Sequence, residues 1–160
     1  MTAVLTVMQG LPAAGKTTAA RKLIANAARP IRYTSLDALR LMLDGQTPTA
    51  WWADGSEEQT ARAQAALTAR LLADGCDVVM DGTHVHSGQV AALRDAITGL
   101  DVDVRVHRLD TPLDECIRRD LQRPHPIGEA CIRQLATQWA AAEAGGWRLD
   151  TWLTETGGTQ

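Results

Sequence analysis

The sequence predicts an α/β sandwich on a mainly parallel sheet of four to five strands, flanked by helices. Two observations predict it. Short apolar runs recur along the chain, and they alternate with longer helical patterns. A chain of 160 residues fits one domain and can bury a sizeable core. We expect residues 1–153 to form that domain and residues 154–160 to fray as a tail.

Val4 to Met8 is β-branched-rich and apolar, as a buried parallel strand requires. Residues 16–27, rich in Ala, follow as a helix. Ile31 to Thr34 is a second strand. Ser35 can cap a helix running to about Asp44, with Leu36, Leu39 and Leu43 on its inner face. Residues 45–56 carry Gly, Pro and Ser and read as a loop. Glu57 to Ala73 is a long helix, which Gly75 ends. Cys76 to Gly82 holds the third strand, ending at Asp81, and Ser87 to about Thr98 is helical. Val102 to Leu109 alternates as a fourth strand. Thr111 and Pro112 start the next helix as cap and first residue, with Asp114 in its first turn. Its inner stripe is Leu113, Cys116, Ile117 and Leu121. Pro124 and Pro126 forbid its continuation past Arg123. Residues 128–144 form the last helix.

Composition excludes several classes. Apolar residues make up 45 % and charged residues 22 %, ordinary for a globular protein. The formal charge is −3, so any nucleic-acid contact should be local rather than a broad basic face. Cys76, Cys116 and Cys131 are odd in number and unpaired in spacing, which reads as reduced core cysteines. The first apolar run is too short for a signal peptide, and nothing reaches membrane-span length. A cytoplasmic protein without membrane partners is the expectation.

Gly10-x4-Gly15-Lys16-Thr17 is a complete phosphate-binding loop, set between a strand and a helix as that motif requires. Its glycines let backbone N–H groups, including those around Ala13 and Ala14, converge on phosphate oxygens. The helix that opens at Lys16, Thr17 and Thr18 adds a positive dipole end. Lys16 reaches the outer phosphates, and the Thr17 hydroxyl helps to hold Mg²⁺. A nucleoside triphosphate, ATP or another, is therefore the expected ligand.

Ligands in such folds bind at the carboxyl ends of the strands. That rule gathers three further groups beside the loop. Asp37 and Arg40 are three apart on one helix face and can reach one ligand, Asp37 as proton acceptor and Arg40 as anion anchor. They also fit an ordinary surface ion pair. Asp81 can hold a Mg²⁺-bound water, and Thr83 can contact an acceptor. His84 and His86 beside Asp81 lack a distant third ligand for a zinc site. Arg119 and Arg123, four apart, repel unless an anion lies between them. A triphosphate would serve, and so would pairing of Arg119 with Glu115. Trp51 and Trp52 can stack on a base or cap the core.

Taken in order, Gly10-x4-Gly15-Lys16-Thr17, Asp37-x-x-Arg40, Asp81-Gly82-Thr83-His84 and Arg119-x-x-x-Arg123 make residues 3–140 resemble the kinase domain of phage-type polynucleotide 5′-hydroxyl kinases and related small P-loop kinases. The resemblance implies a P-loop kinase sandwich with a short helical lid, using ATP and Mg²⁺. It implies that Asp37 is general base for a 5′-OH and that Arg40 contacts an acceptor phosphate. It also implies that Thr83 contacts the acceptor, and that Arg119 and Arg123 contact the triphosphate. His84 stands where the family has Asn and is expected beside the acceptor. The expected activity is phosphorylation of a nucleic-acid hydroxyl. A kinase of hydroxymethylated bases, a small-molecule kinase (of a nucleoside, sugar, antibiotic or nucleotide sugar) and an acceptor-free ATPase or switch remain open.

Overall fold

The computed structural model describes residues 2–44 and 56–155. Trp51 and Trp52 lie outside the described residues, as does the end of the expected tail. Four strands form one sheet: β1 (Ala3–Gln9), β2 (Ile31–Ser35), β3 (Asp77–Asp81) and β4 (Val102–Arg108). Their order is β2-β3-β1-β4, and every pairing is parallel. The helices are α1 (Lys16–Ala25), α2 (Leu36–Asp44), α3 (Ser56–Ala73), α4 (Ala91–Ile97), α5 (Leu113–Asp120), α6 (Glu129–Ala144) and α7 (Leu149–Thr154).

Alternation along the central strands assigns side chains to the two faces. Ala3, Leu5 and Val7 of β1, with Val78 and Met80 of β3, enter one core with Ala65, Leu72, Leu93, Ile97, Leu149 and Leu153. Met8 and Val79 point the other way, onto Ala20 of α1. A third apolar cluster closes the carboxyl edge of the sheet: Leu11 and Ala14 of the phosphate loop, Val85, Cys116 and Ile117 of α5, and Ile132 and Trp139 of α6. That cluster fastens the α5–α6 pair over the loop. β1 and β3 are neighbours, and from β1 the chain crosses to β2 on one side while β4 lies on the other. The crevice of this sheet therefore opens at the carboxyl ends of β1 and β3.

Several expected details differ. Leu43 is exposed, as are Leu41 and Met42, and of the three leucines expected on the inner face of α2 only Leu39 is buried. Leu121 is exposed: it caps α5 in helical conformation, its N–H on the Ile117 carbonyl at 3.1 Å, but it is not among the side chains that pack with Cys116 and Ile117. Thr111 does not cap α5. Its hydroxyl donates instead to the Ala14 carbonyl at 2.9 Å, tying the phosphate loop to the chain after β4. The segment from Ser87 is a single 3-10 turn before α4. A seventh helix, α7, follows the expected last one, with Trp147 and Trp152 against the core.

Candidate active site

The phosphate loop runs from β1 into α1. Gly15 takes a left-handed conformation (φ 99°) as the residue before α1, and Ala13 is also at positive φ. This curl leaves the first N–H groups of α1 facing the crevice. Lys16 is buried, and its Nζ donates to the Leu11 carbonyl at 2.7 Å. Burial pushes its pKa down to about 8, partly opposed by the carboxylates of Asp81 and Asp37. A buried cation held by one carbonyl is a strong attractor for an anion that enters.

Asp81 ends β3, in register with Ser35 of β2. Its Oδ2 accepts from the Thr17 hydroxyl at 2.8 Å and from the Tyr33 phenol at 2.6 Å. Burial and the bond to Asp81 push the Tyr33 pKa up to about 12, so the phenol keeps its proton and donates. Gln64 of α3 steadies the same strand end, donating to the carbonyls of Thr34 and Asp81. The hydroxyl and carboxylate at this spot are hard oxygen donors of the kind that Mg²⁺ accepts, directly or through water. The residues therefore fit that ion.

One cavity of about 860 Å³ joins these groups. Its walls carry Lys16 and Thr17, Asp37 and Arg40, Asp81 and Thr83, and Arg119 and Arg123. Gly15 and Thr18 also line it. The Arg119 guanidinium reaches the loop, 3.8 Å from where a Cβ on Gly15 would stand. Its Nε also donates to Glu115 at 2.6 Å, so the ordinary helix pair and the approach to the loop coexist. Arg118 shares Glu115, and together the two arginines hold that carboxyl at about 2.

At the other end of the cavity, Asp37 stands in the first turn of α2, and Ser35 Oγ accepts from the Ala38 N–H at 3.4 Å. Asp37 accepts from Arg40 Nη1 at 2.5 Å, yet its side chain stays 69 % exposed. Arg40 is far less open, at 15 %. Its Nε and Nη2 both donate to the Glu57 carboxylate, at 2.6 and 2.5 Å. Burial works against this cation, and the two acids more than offset it, raising its pKa. Glu57 lines the cavity too. Spacing could not reveal it, because it meets Arg40 only through the packing of α3 against α2.

His84 lies elsewhere than expected. Its ring is fully buried and does not line the cavity. The backbone at His84 turns to φ 50°, which swings the ring under the sheet edge, where Nδ1 donates to the Met8 carbonyl at 2.7 Å. Burial pushes its pKa down to about 4. A Cβ on Gly82 would stand 2.7 Å from the ring, so glycine makes room for it. The Gly10 N–H donates to the Thr83 carbonyl, and Gln9 donates to the His84 carbonyl. His84 thus clips the phosphate loop to the segment that carries Asp81 and Thr83.

Residues 5–144 match the AAA_33 family, an AAA domain. The chain belongs to that family. Its fold is that of small P-loop kinases. It superposes on a chain of the Pnkp1/Rnl/Hen1 RNA repair complex with a TM-score of 0.69 and 23% identity, covering 90% of this chain and 46% of that one. This AAA-domain chain therefore spans about half the length of that relative. The APS kinase CysC of Mycobacterium tuberculosis, solved with AMPPNP and APS, matches with a TM-score of 0.59 and 21% identity over 92% of this chain and 77% of that one. A sugar kinase from Janibacter matches with a TM-score of 0.57 and 20% identity, over 88% and 77% of the two chains. No curated protein shows significant similarity to the sequence. Among the described residues, no helix is long and apolar enough to cross a membrane.

Proposed function

We propose that this protein is an ATP-dependent kinase that phosphorylates a hydroxyl of a nucleic acid, first of all the 5′-OH of a DNA or RNA strand. The observation that carries the reading is the exposed carboxylate of Asp37 in the same cavity as the phosphate loop, close enough for its charge to act on Lys16. In a kinase such a base takes the proton of the acceptor hydroxyl, whereas in an ATPase it would act on water; the cavity of about 860 Å³ gives room for an acceptor beside the nucleotide.

In this reading the triphosphate lies along the Gly10–Thr18 loop, with Ala13 and Gly15 giving backbone N–H groups and Lys16 on the outer phosphates, whereas the Ala14 N–H donates to the Leu11 carbonyl at 3.1 Å and shapes the loop. Thr17, and Asp81 through a water, would hold Mg²⁺, which would supply neutralising charge to the phosphates. Asp37 takes the proton of the acceptor hydroxyl as its oxygen bonds to the γ-phosphorus and the bond to the ADP oxygen breaks. Arg119 and Arg123 offset the charge spread over the transferring group. Arg40 and Thr83 hold the acceptor. His84 has no direct contact with the acceptor in this scheme and supports Thr83 from beneath.

A specific observation favours a second reading, a small-molecule acceptor. Glu57 and Asp37 occupy Arg40, so the acceptor end carries two carboxylates against one guanidinium. An acidic end suits a neutral polyhydroxyl better than a strand of phosphates. The test is labelled phosphate transfer from ATP to 5′-OH DNA, 5′-OH RNA, base-hydroxymethylated DNA, nucleosides and sugars. The proposal expects the oligonucleotides to be the better acceptors. Transfer to a sugar or bare nucleoside alone would replace it with the second reading.

A further inference from the structure

Asp120 is the last residue of α5 and only 1 % exposed. It stands between the two lid arginines in sequence, and its carboxylate does not line the cavity. Its Oδ1 accepts from the Ile127 N–H at 3.3 Å, and its Oδ2 from the Gly128 N–H at 3.0 Å. Arg123 Nη1 lies 3.6 Å from Oδ1. Ile127 and Gly128 precede α6, so no helical carbonyl serves their N–H groups. Between the two helices, Pro124 and Pro126 have no N–H to give. One buried side chain thus fastens the end of α5 to the start of α6.

The bend it fixes aims Arg123, while Arg119 is set by α5 itself. Arg119 sits one residue before Asp120 and reaches toward Gly15. Arg123 follows three residues after it, its N–H donating to the Asp120 carbonyl at 3.0 Å, and its charge acts on Lys16. Neither arginine is held in place by burial, since both side chains are more than 40 % exposed. A carboxylate suits the post, because two oxygens can take two N–H groups and still attract a guanidinium.

We propose that Asp120 is the positioning residue of the nucleotide half: it fixes the 121–128 turn so that Arg123 faces the phosphate loop, and it affects ATP through that arginine. This rests on the kinase reading only as far as triphosphate binding, since no acceptor enters the test. The test is a double-mutant cycle on AMPPNP affinity with Mg²⁺, read by calorimetry, using Asp120→Asn, Asp120→Ala, Arg123→Ala and the combinations. Asp120→Ala should weaken AMPPNP by about tenfold, and Asp120→Asn, which keeps one acceptor oxygen, by less. With Arg123 already replaced by Ala, the same changes should cost less than about twofold. Thermal unfolding identifies any variant that does not fold, and if Ala fails, the Asn cycle decides. Unchanged affinity in Asp120→Asn and Asp120→Ala would overturn the proposal. So would losses that multiply in full with that of Arg123→Ala, as a merely structural residue would give. A wild type that binds no AMPPNP would overturn the nucleotide reading itself, whereas a wrong acceptor would leave this cycle intact.

Discussion

The two ends of the cavity are built by different means. The nucleotide end is made of backbone. Its loop is continuous in sequence, its conformation follows from Gly15 and the start of α1, and its cation is buried. The acceptor end is made of side chains from α2, α3 and the strand ends, and its charges satisfy one another: Asp37 and Glu57 both bind Arg40. The first end is poised for an anion. The second must exchange existing ion pairs for contacts with a ligand, which makes it the adaptable part of the site. Binding of the nucleotide and choice of acceptor should therefore separate under mutation.

The largest effect should come from Lys16→Ala. It removes the buried cation of the nucleotide end, and phosphate transfer should fall to background while the fold persists. Normal transfer by the folded variant would remove the contrast between the two ends. Next comes Asp37→Asn, which keeps the shape and removes the base. Transfer should fall by about 10²–10⁴-fold while AMPPNP affinity stays near normal. Equal losses in binding and transfer would mean that the ends are not separable. Arg40→Ala should weaken an acceptor bearing a phosphate next to its hydroxyl by about 1.5–3 kcal/mol and leave ATP affinity unchanged. Glu57→Gln should act oppositely on that acceptor, since it releases part of the guanidinium. Comparing a nucleoside 3′-phosphate with the bare nucleoside in both variants checks this. If Arg40→Ala lowers use of the two acceptors equally, the arginine serves the fold of α2 and not a phosphate.

The smallest effect is one of pH. Burial lowers the Lys16 pKa to about 8 in the free protein, and a bound triphosphate raises it again. Nucleotide affinity should therefore be full below pH 8 and decline as pH rises through that value. Binding near pH 8 should take up a fraction of a proton, seen as a binding enthalpy that varies with the buffer's ionisation enthalpy. No such dependence is expected of contacts at Arg40. A pH-independent nucleotide affinity across this range would show that Lys16 is charged throughout.

The same contrast explains what the sequence made legible. The phosphate loop needs local order alone, so Gly10 to Thr18 could be read directly, and the strand alternation placed Asp37 and Asp81 at the right edge of the sheet. Glu57, Tyr33, Gln64 and Asp120 escaped, because each acts on a partner that only tertiary packing supplies. Tyr33 reaches Asp81 across neighbouring strands, and Asp120 reaches forward over a turn. His84 was misplaced because a positive φ at a residue other than glycine leaves no trace in periodicity. Thr111 and Pro112 have the pattern of a helix start, but Thr111 finds a better acceptor in Ala14. The helix α7 was hidden by its short length between Gly146 and the residues after Glu155.

The central claim is that the acceptor end delivers a hydroxyl to the phosphate held at the nucleotide end. Its most direct test follows labelled γ-phosphate from ATP in a single reaction containing a 5′-OH oligonucleotide, with wild type and Asp37→Asn side by side, counting label on the oligonucleotide and label released as inorganic phosphate. The account predicts label on the 5′ end with wild type and its loss with Asp37→Asn. Label released only as inorganic phosphate, at the same rate in both proteins and with every acceptor supplied, would contradict it.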